Sequence, residues 1–332
     1  MALTKVSTGV VDMSGNTGGL VIAKGTDAQR PTCDASILGS IRENTDENKV
    51  EVCTSTGWQF LEEAGSTVAP LIVDYLVVAG GGAGQGVRGG GGGAGGLLTT
   101  TSYGGSGTAL NLVSGAEYTA TIGTGGYGVQ DSGNYGQDGS DSYFDSISAN
   151  GGGGGGRSTL TGRPGGSGGG GGNGGSSYSN QGGAATPAGQ GSPGGRSPSF
   201  SDAGGGGGAN GPNPAGSFNL GATGLSSNIT ENSVTYATGG RGGYGSQGTS
   251  TGISGAANTG DGGSGMFDGY LTSGRTAGSG GSGVVILRYP SAYAITFQTG
   301  VGFISSTATL SATSEKVTTI TAGSGTITFA SI

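Results

Sequence analysis

The sequence predicts a mainly β protein built around a bundle of extended polyglycine helices of the polyproline-II type, with almost no α-helix. Three observations predict it. Glycine supplies 84 of 332 residues, against roughly 7% in ordinary chains. Of those glycines, 72 lie between Gly80 and Gly283. Short segments rich in β-branched and aromatic residues punctuate that block, and no stretch keeps a helical period.

Composition divides the chain into a β head at 1–69, a glycine-rich sandwich at 70–290 bracketed by strands, and a C-terminal β segment at 291–332. In the head, Ile41 to Val52 (IRENTDENKVEV) reads as two strands joined by an Asn/Asp turn, with Trp58 capping the hairpin. Such a hairpin is marginal by itself and needs neighbours. Cys33 and Cys53, the only cysteines, allow a single disulfide. The rarity of disulfides in chains made in a cytoplasm favours two free, partly buried thiols.

Strands are expected at Leu71 to Val78 (LIVDYLVV), Glu117 to Ile122, Tyr143 to Ser148, Val234 to Ala237 and Val284 to Tyr289 (VVILRY). A disordered Gly/Ser linker would have no use for them. Collagen is excluded, because glycine keeps no strict third-residue period and the block holds only six prolines. Extended glycine helices remain, at three residues per turn and about 3.1 Å rise. They make no internal hydrogen bonds, so their N–H and C=O groups must bond sideways to neighbouring chains. Runs suited to this are Gly89 to Gly93, Gly151 to Gly156, Gly165 to Gly175, Gly204 to Gly208, Gly239 to Gly245 and Gly278 to Gly283. If Leu76 to Ala79 pairs with Val284 to Leu287, the ends of the block are adjacent and the block projects as an insertion. The tail alternates Thr/Ser with Ile, Val and Phe around glycine turns, which reads as short antiparallel strands.

Function classes narrow by subtraction. The chain contains no histidine, the commonest general base and metal ligand. No serine sits in a strand-to-helix nucleophile elbow. Gly-x-Gly-x-x-Gly patterns recur, but the residues after Gly96 (LLTTTSYGGSG) open no helix, as a dinucleotide site requires. No enzymatic activity and no cofactor are expected. Asp131, Asp138, Asp141 and Asp145 match no calcium-loop spacing and read as polar turn residues, so no metal is expected. A net charge of −7 disfavours nucleic acid. The stretch VAPLIVDYLVVAG is too short to span a bilayer, so membrane insertion is not expected.

Between the glycine runs lie segments with turn residues, aromatics and arginine, a composition suited to recognition loops on a rigid base. Tyr178, Phe200, Phe218, Tyr244, Phe267 and Tyr270, with Arg163 and Arg196, are the candidate receptor-binding residues. Aromatic rings stack on sugar faces and anchor protein contacts. The same rings could instead fold back over the glycine backbone. Arg88, Arg157, Arg163, Arg196, Arg241 and Arg275 supply every positive charge of the block, where nine acidic residues keep the net field negative. These arginines suit acidic glycans or the bases of loops.

Asp74 to Gly82 (DYLVVAGGG) and Gly280 to Pro290 (GGSGVVILRYP) resemble the opening and closing strands of a glycine-rich domain widespread in bacteriophage tail-fibre and adhesin proteins. EYTATIGTGGYG followed by GSDSYFDSISANGGGGGG is similar to that family's internal pattern, and the resemblance covers roughly 70 to 290. GSIRENTDENKVEVCTSTGW in the head resembles a hairpin module of phage structural proteins, with Cys53 and Thr54 where an aromatic and a polar residue are usual. The resemblance implies a non-catalytic virion tail-fibre subunit, made in the host cytoplasm and assembled as a homotrimer with other tail proteins. Its partner would be a host surface glycan or outer-membrane protein. A structural adaptor of tail or capsid is the alternative. An ice-binding or surface-layer role ranks behind both, because the segments lack regularly spaced Thr or Ala.

Overall fold

The computed structural model describes residues 22–61, 70–128, 135–174, 180–198, 202–212, 219–244, 251–266 and 276–332. The chain forms two compact units, Met1–Val68 and Ala69–Ile332. Among the described residues no helix is long and apolar enough to cross a membrane.

The head is one four-stranded sheet in the order β1 (Ala23–Gly25), β2 (Ile41–Asn44), β3 (Lys49–Thr54), β4 (Gly57–Phe60). The hairpin is present, with Ile41 opposite Val52 and Asn44 opposite Lys49, and Asn48 turns the corner at φ 53°. Trp58 donates its indole N–H to the Pro31 carbonyl at 2.8 Å. This fixes the segment after β1 across the sheet. Glu51, 1% exposed, receives Arg30 at 2.8 Å and Arg42 at 3.4 Å, so its buried charge is paired from two sides. The same crossing brings Cys33 over β3, and a disulfide joins it to Cys53. The expectation of free thiols is thereby corrected. Compartment statistics say nothing about two cysteines that the fold sets 5.5 Å apart at Cα.

The second unit begins with β5 (Ile72–Val78), β6 (Leu97–Thr99), β7 (Leu110–Asn111), β8 (Glu117–Thr121), β9 (Ser142–Phe144) and β10 (Ile147–Ala149). It continues with β11 (Leu225–Thr230), β12 (Asn232–Tyr236), β13 (Val284–Pro290), β14 (Tyr293–Phe297), β15 (Ile304–Leu310), β16 (Glu315–Ala322) and β17 (Ser324–Ser331). One sheet runs β15-β16-β13-β5-β6, with β7 also on β5. A second runs β10-β9-β8-β17-β14, and β11 and β12 form a hairpin. The segment Tyr143 to Ser148, expected as one strand, is two. Asp145 at φ 51° folds β10 back onto β9, placing Ile147 opposite Phe144.

Along β5 the residues from Tyr75 to Val78 are buried on both faces, while Asp74 is half-buried and Ile72 exposed. Val73, Tyr75 and Val77 join Val285, Leu287 and Tyr289 in a core shared with Phe144, Ile327 and Phe329 of the second sheet. Leu76, Val78, Val284 and Ile286 fill the opposite face with Ile229 and Tyr236 of the β11–β12 hairpin. Both faces of β5 and β13 are therefore covered. The segment 291–332 completes both sheets, since β16 pairs with β13 and β17 with β8.

Beyond Val78 the chain leaves regular strand geometry and enters a lattice of glycine runs. Gly90, Gly93 and Gly96 donate their N–H groups to Gly156, Gly153 and Asn150, and Gly91 and Ala94 donate to Gly204 and Gly207. Gly89, Gly92 and Gly95 donate to Met266, Gly263 and Gly260. Carbonyls of the same run accept from Ala79, Gly82 and Gln85, from Ser167 and Gly170, and from Gly240 and Gly243. Every third residue thus addresses the same neighbour, and six chain segments surround one run. Glycine is required by contact: a Cβ at Gly92 would overlap the Gly82 carbonyl, and one at Gly170 the Gly204 carbonyl.

Candidate functional site

The central run has two ends. At Gly96 it meets Asn150, Gln190 and Ala79, beside the sandwich. At Gly89 it meets Met266, Gly243 and the turn after Gln85. The residues flanking five of the undescribed segments come together at this second end. Tyr135 bridges Gly156, and Asn173 donates to the Arg88 carbonyl. The Asn180 amide donates to the Ser158 and Gly172 carbonyls, and Ser197 donates its N–H to Asn180. Asp202 bridges Tyr244, and Met266 donates to Gln85. Gly252 and Thr276 pair with each other, next to Ala277 and Gly128. The described residues on either side of 129–134, 175–179, 199–201, 245–250 and 267–275 therefore lie at one end of the lattice.

Of the residues singled out in the sequence, Tyr178, Phe200, Phe218, Phe267 and Tyr270 lie outside the described residues. Tyr244 stands at this end, 38% exposed. Arg196 is exposed beside Ser197 at the same end. Arg163 pairs its guanidinium with Asp138 at 2.7 Å and covers the ring of Tyr135, the residue that flanks 129–134, at 5.7 Å.

Three further arginines end at the same face. Arg88 and Arg241 are exposed and Arg157 half-buried. Ser158 donates its N–H to Val87 at 3.4 Å, which joins the turns carrying Arg157 and Arg88. Gly243 donates to Gly89, and Gly265 to the Arg241 carbonyl, which brings in the fourth turn. Their sequence signal was position: Arg88 directly precedes one glycine run and Arg157 directly follows another. In an extended lattice, a residue at the end of a run is a residue at the end of the bundle.

A second feature is a polar recess of about 260 Å³ lined by Asp138, Asp141, Asn150, Pro164 and Thr186. Its carboxylates are engaged in holding the backbone. Asp138 accepts from the Gly154 N–H at 2.8 Å and Asp141 from the Gly151 N–H at 2.7 Å. The Tyr143 hydroxyl donates to Asp141 at 2.8 Å, and this bond to a carboxylate holds the phenol above its ordinary pKa. Among the described residues no group of three or more His, Cys, Asp or Glu side chains is placed to hold a metal ion.

A search of curated proteins finds no match to this chain. A family model described as a glycine-rich domain matches residues 63–290, from just before β5 to the last residue of β13. The chain belongs to this glycine-rich domain family.

Proposed function

We propose that this chain is a non-catalytic bacteriophage tail-fibre or adhesin subunit that recognises a host surface through loops carried on a polyglycine-helix base. One observation carries the reading. The described residues that flank five connecting segments, those of Tyr178, Phe200, Phe267 and Tyr270 among them, lie at the lattice end opposite the β5–β13 pair. The three-residue period of the lateral hydrogen bonds supports extended glycine helices as the base. A base bonded through main chain leaves side chains at the run ends free to vary, which suits recognition. The resemblance of DYLVVAGGG and GGSGVVILRYP to phage tail-fibre domains supplies the setting, a virion tail, and a homotrimeric assembly.

The test uses the purified full chain, a panel of Gram-negative and Gram-positive bacteria, and particle adsorption as readout. Selective binding that competes with adsorption, and that is lost when Tyr178, Phe200, Phe218 and Phe267 are replaced by serine, is the expected result. A folded protein that binds no bacterium and does not compete would turn the reading toward a structural adaptor. Sedimentation equilibrium of the same sample checks the trimer.

A further inference from the structure

An extended glycine run can bond in six directions, because each of its three residues per turn points an N–H one way and a C=O another. The run from Gly89 to Gly96 uses all six. The run from Gly260 to Met266 uses five. Its Gly260, Gly263 and Met266 carbonyls accept from Gly95, Gly92 and Gly89, and those of Asp261 and Ser264 accept from Gly281 and Gly278. The N–H groups of Gly263, Ser264 and Gly262 donate to Gly82, Ile253 and Thr238. The sixth direction belongs to the Gly262 carbonyl, which accepts no hydrogen bond among the described residues although Gly262 is buried.

On that sixth side a groove of about 310 Å³ runs along the lattice, and every residue lining it is described. Residues 238–241 form one wall, 253–256 the other and 261–264 the floor. Floor side chains cap two of the wall N–H groups. Asp261 accepts from the Thr238 N–H at 2.8 Å, and the Ser264 hydroxyl accepts from the Ile253 N–H at 2.6 Å. The Arg241 N–H lies one three-residue period beyond that of Thr238, so it faces the same groove, and it donates to nothing among the described residues. Ile253, 72% exposed, gives the groove an apolar rim. The recess beside Asp138 is a contrast. There the outward groups are the N–H groups of Gly151 and Gly154, which carboxylates satisfy. The Gly262 carbonyl needs a donor, which no carboxylate supplies.

From this bonding pattern we infer that the groove binds an extended glycine-rich segment of a partner polypeptide, which donates an N–H to the Gly262 carbonyl and accepts from the Arg241 N–H. The extended form follows from the three-residue period of the walls, along which about four residues span roughly 12 Å. Glycine follows from the spacing, since a Cβ at Gly240 or Gly262 would overlap the backbone of a neighbouring run. Proline shares the extended form but has no N–H to donate. Main-chain bonding to an open edge is a general mode of peptide capture. A different chain is favoured over a second copy, because the described glycine runs of this chain are already bonded within its own lattice. This partner site is separate from the segments proposed to meet a host surface.

The test is amide hydrogen exchange of the purified full chain, with a short peptide repeating Gly-Gly-Ser as probe and polyproline of the same length as control. With saturating glycine peptide the Arg241 amide should exchange at least about tenfold more slowly, and with polyproline its rate should not change. Arg241→Gln keeps the backbone N–H and should bind the labelled glycine peptide as the unaltered chain does, measured by fluorescence anisotropy. Arg241→Pro suits an extended backbone but removes that N–H, and should weaken binding at least about tenfold. If Arg241→Pro lowers the thermal midpoint, Ala256→Trp, which fills the groove from the opposite wall, makes the same comparison, and unchanged binding there counts against the proposal. Absence of protection, equal protection by polyproline, or equal loss in Arg241→Gln and Arg241→Pro overturns it. Self-association of the unaltered chain that Arg241→Pro abolishes overturns it in favour of a second copy in the groove.

Discussion

Leu76 and Ile286 lie directly opposite each other in the antiparallel pair of β5 and β13, with the whole glycine block between them in sequence. Both are buried in the core shared with the β11–β12 hairpin. Closing so long a connection costs entropy that these strands must offset, although the cost grows only slowly with length.

Leu76→Ala should therefore destabilise the second unit by about 2–5 kcal/mol, as a buried Leu truncated in a close-packed core does. Combined with Ile286→Ala, the two losses should fall short of additivity by about 0.5–3 kcal/mol, because each removes the other's partner. Urea unfolding of the two single variants and the double variant measures this. Strict additivity would mean the pair is not coupled.

The glycine lattice makes a contrasting pair of predictions. A methyl group at Gly92 would collide with the Gly82 carbonyl, so Gly92→Ala should cost about 3 kcal/mol or more. Gly189 has φ +90° and open space around its missing Cβ. Gly189→Ala should cost only the backbone strain, about 1–2 kcal/mol. Equal thermal midpoints for the two variants would show that the lattice does not depend on close approach.

The head should respond to thiol chemistry while the second unit does not. The Cys33–Cys53 bond closes a loop across a separation of 20 residues, for which chain entropy gives about 3 kcal/mol. Cys33→Ser/Cys53→Ser should lower head stability by roughly that amount, followed by Trp58 fluorescence. The tryptophan is the only one in the chain, so its signal reports the head alone.

Alkaline pH should loosen the second unit. Burial raises the phenol pKa of Tyr75, Tyr236 and Tyr289, and for Tyr289 hydrogen bonding to Thr318 opposes that rise. A pKa higher in the folded than the unfolded state means that folding favours the protonated phenol. That contribution is complete below the ordinary tyrosine value of 10.0 and is lost as pH climbs through the raised values. Thermal midpoints should be flat at neutral pH and fall above about pH 10. Tyr289→Phe should fall less steeply there, while losing about 1 kcal/mol at neutral pH with the 2.8 Å bond to Thr318. Identical slopes would remove Tyr289 from the explanation.

The sequence by itself determined the class of the fold. The run LIVDYLVV and its counterpart VVILRY were legible as strands from their β-branched and aromatic residues, and the hairpin at Ile41 to Val52 from its Asn/Asp turn. These are local signals, set by side-chain alternation and turn chemistry within a few residues. Glycine runs carry no such signal, because a residue without a side chain marks neither face nor partner. Only the tertiary structure decided that Gly90 bonds Gly156 while Gly91 bonds Gly204. Only it brought Cys33 to Cys53, set Arg163 on Asp138, and used the C-terminal segment to complete both sheets. The gathering of Arg88, Arg157, Arg196 and Arg241 is likewise a product of the lattice, since it depends on which run ends lie side by side. Backbone-to-backbone packing is specified by the geometry of the whole bundle, and a one-dimensional pattern of glycine contains no address for it.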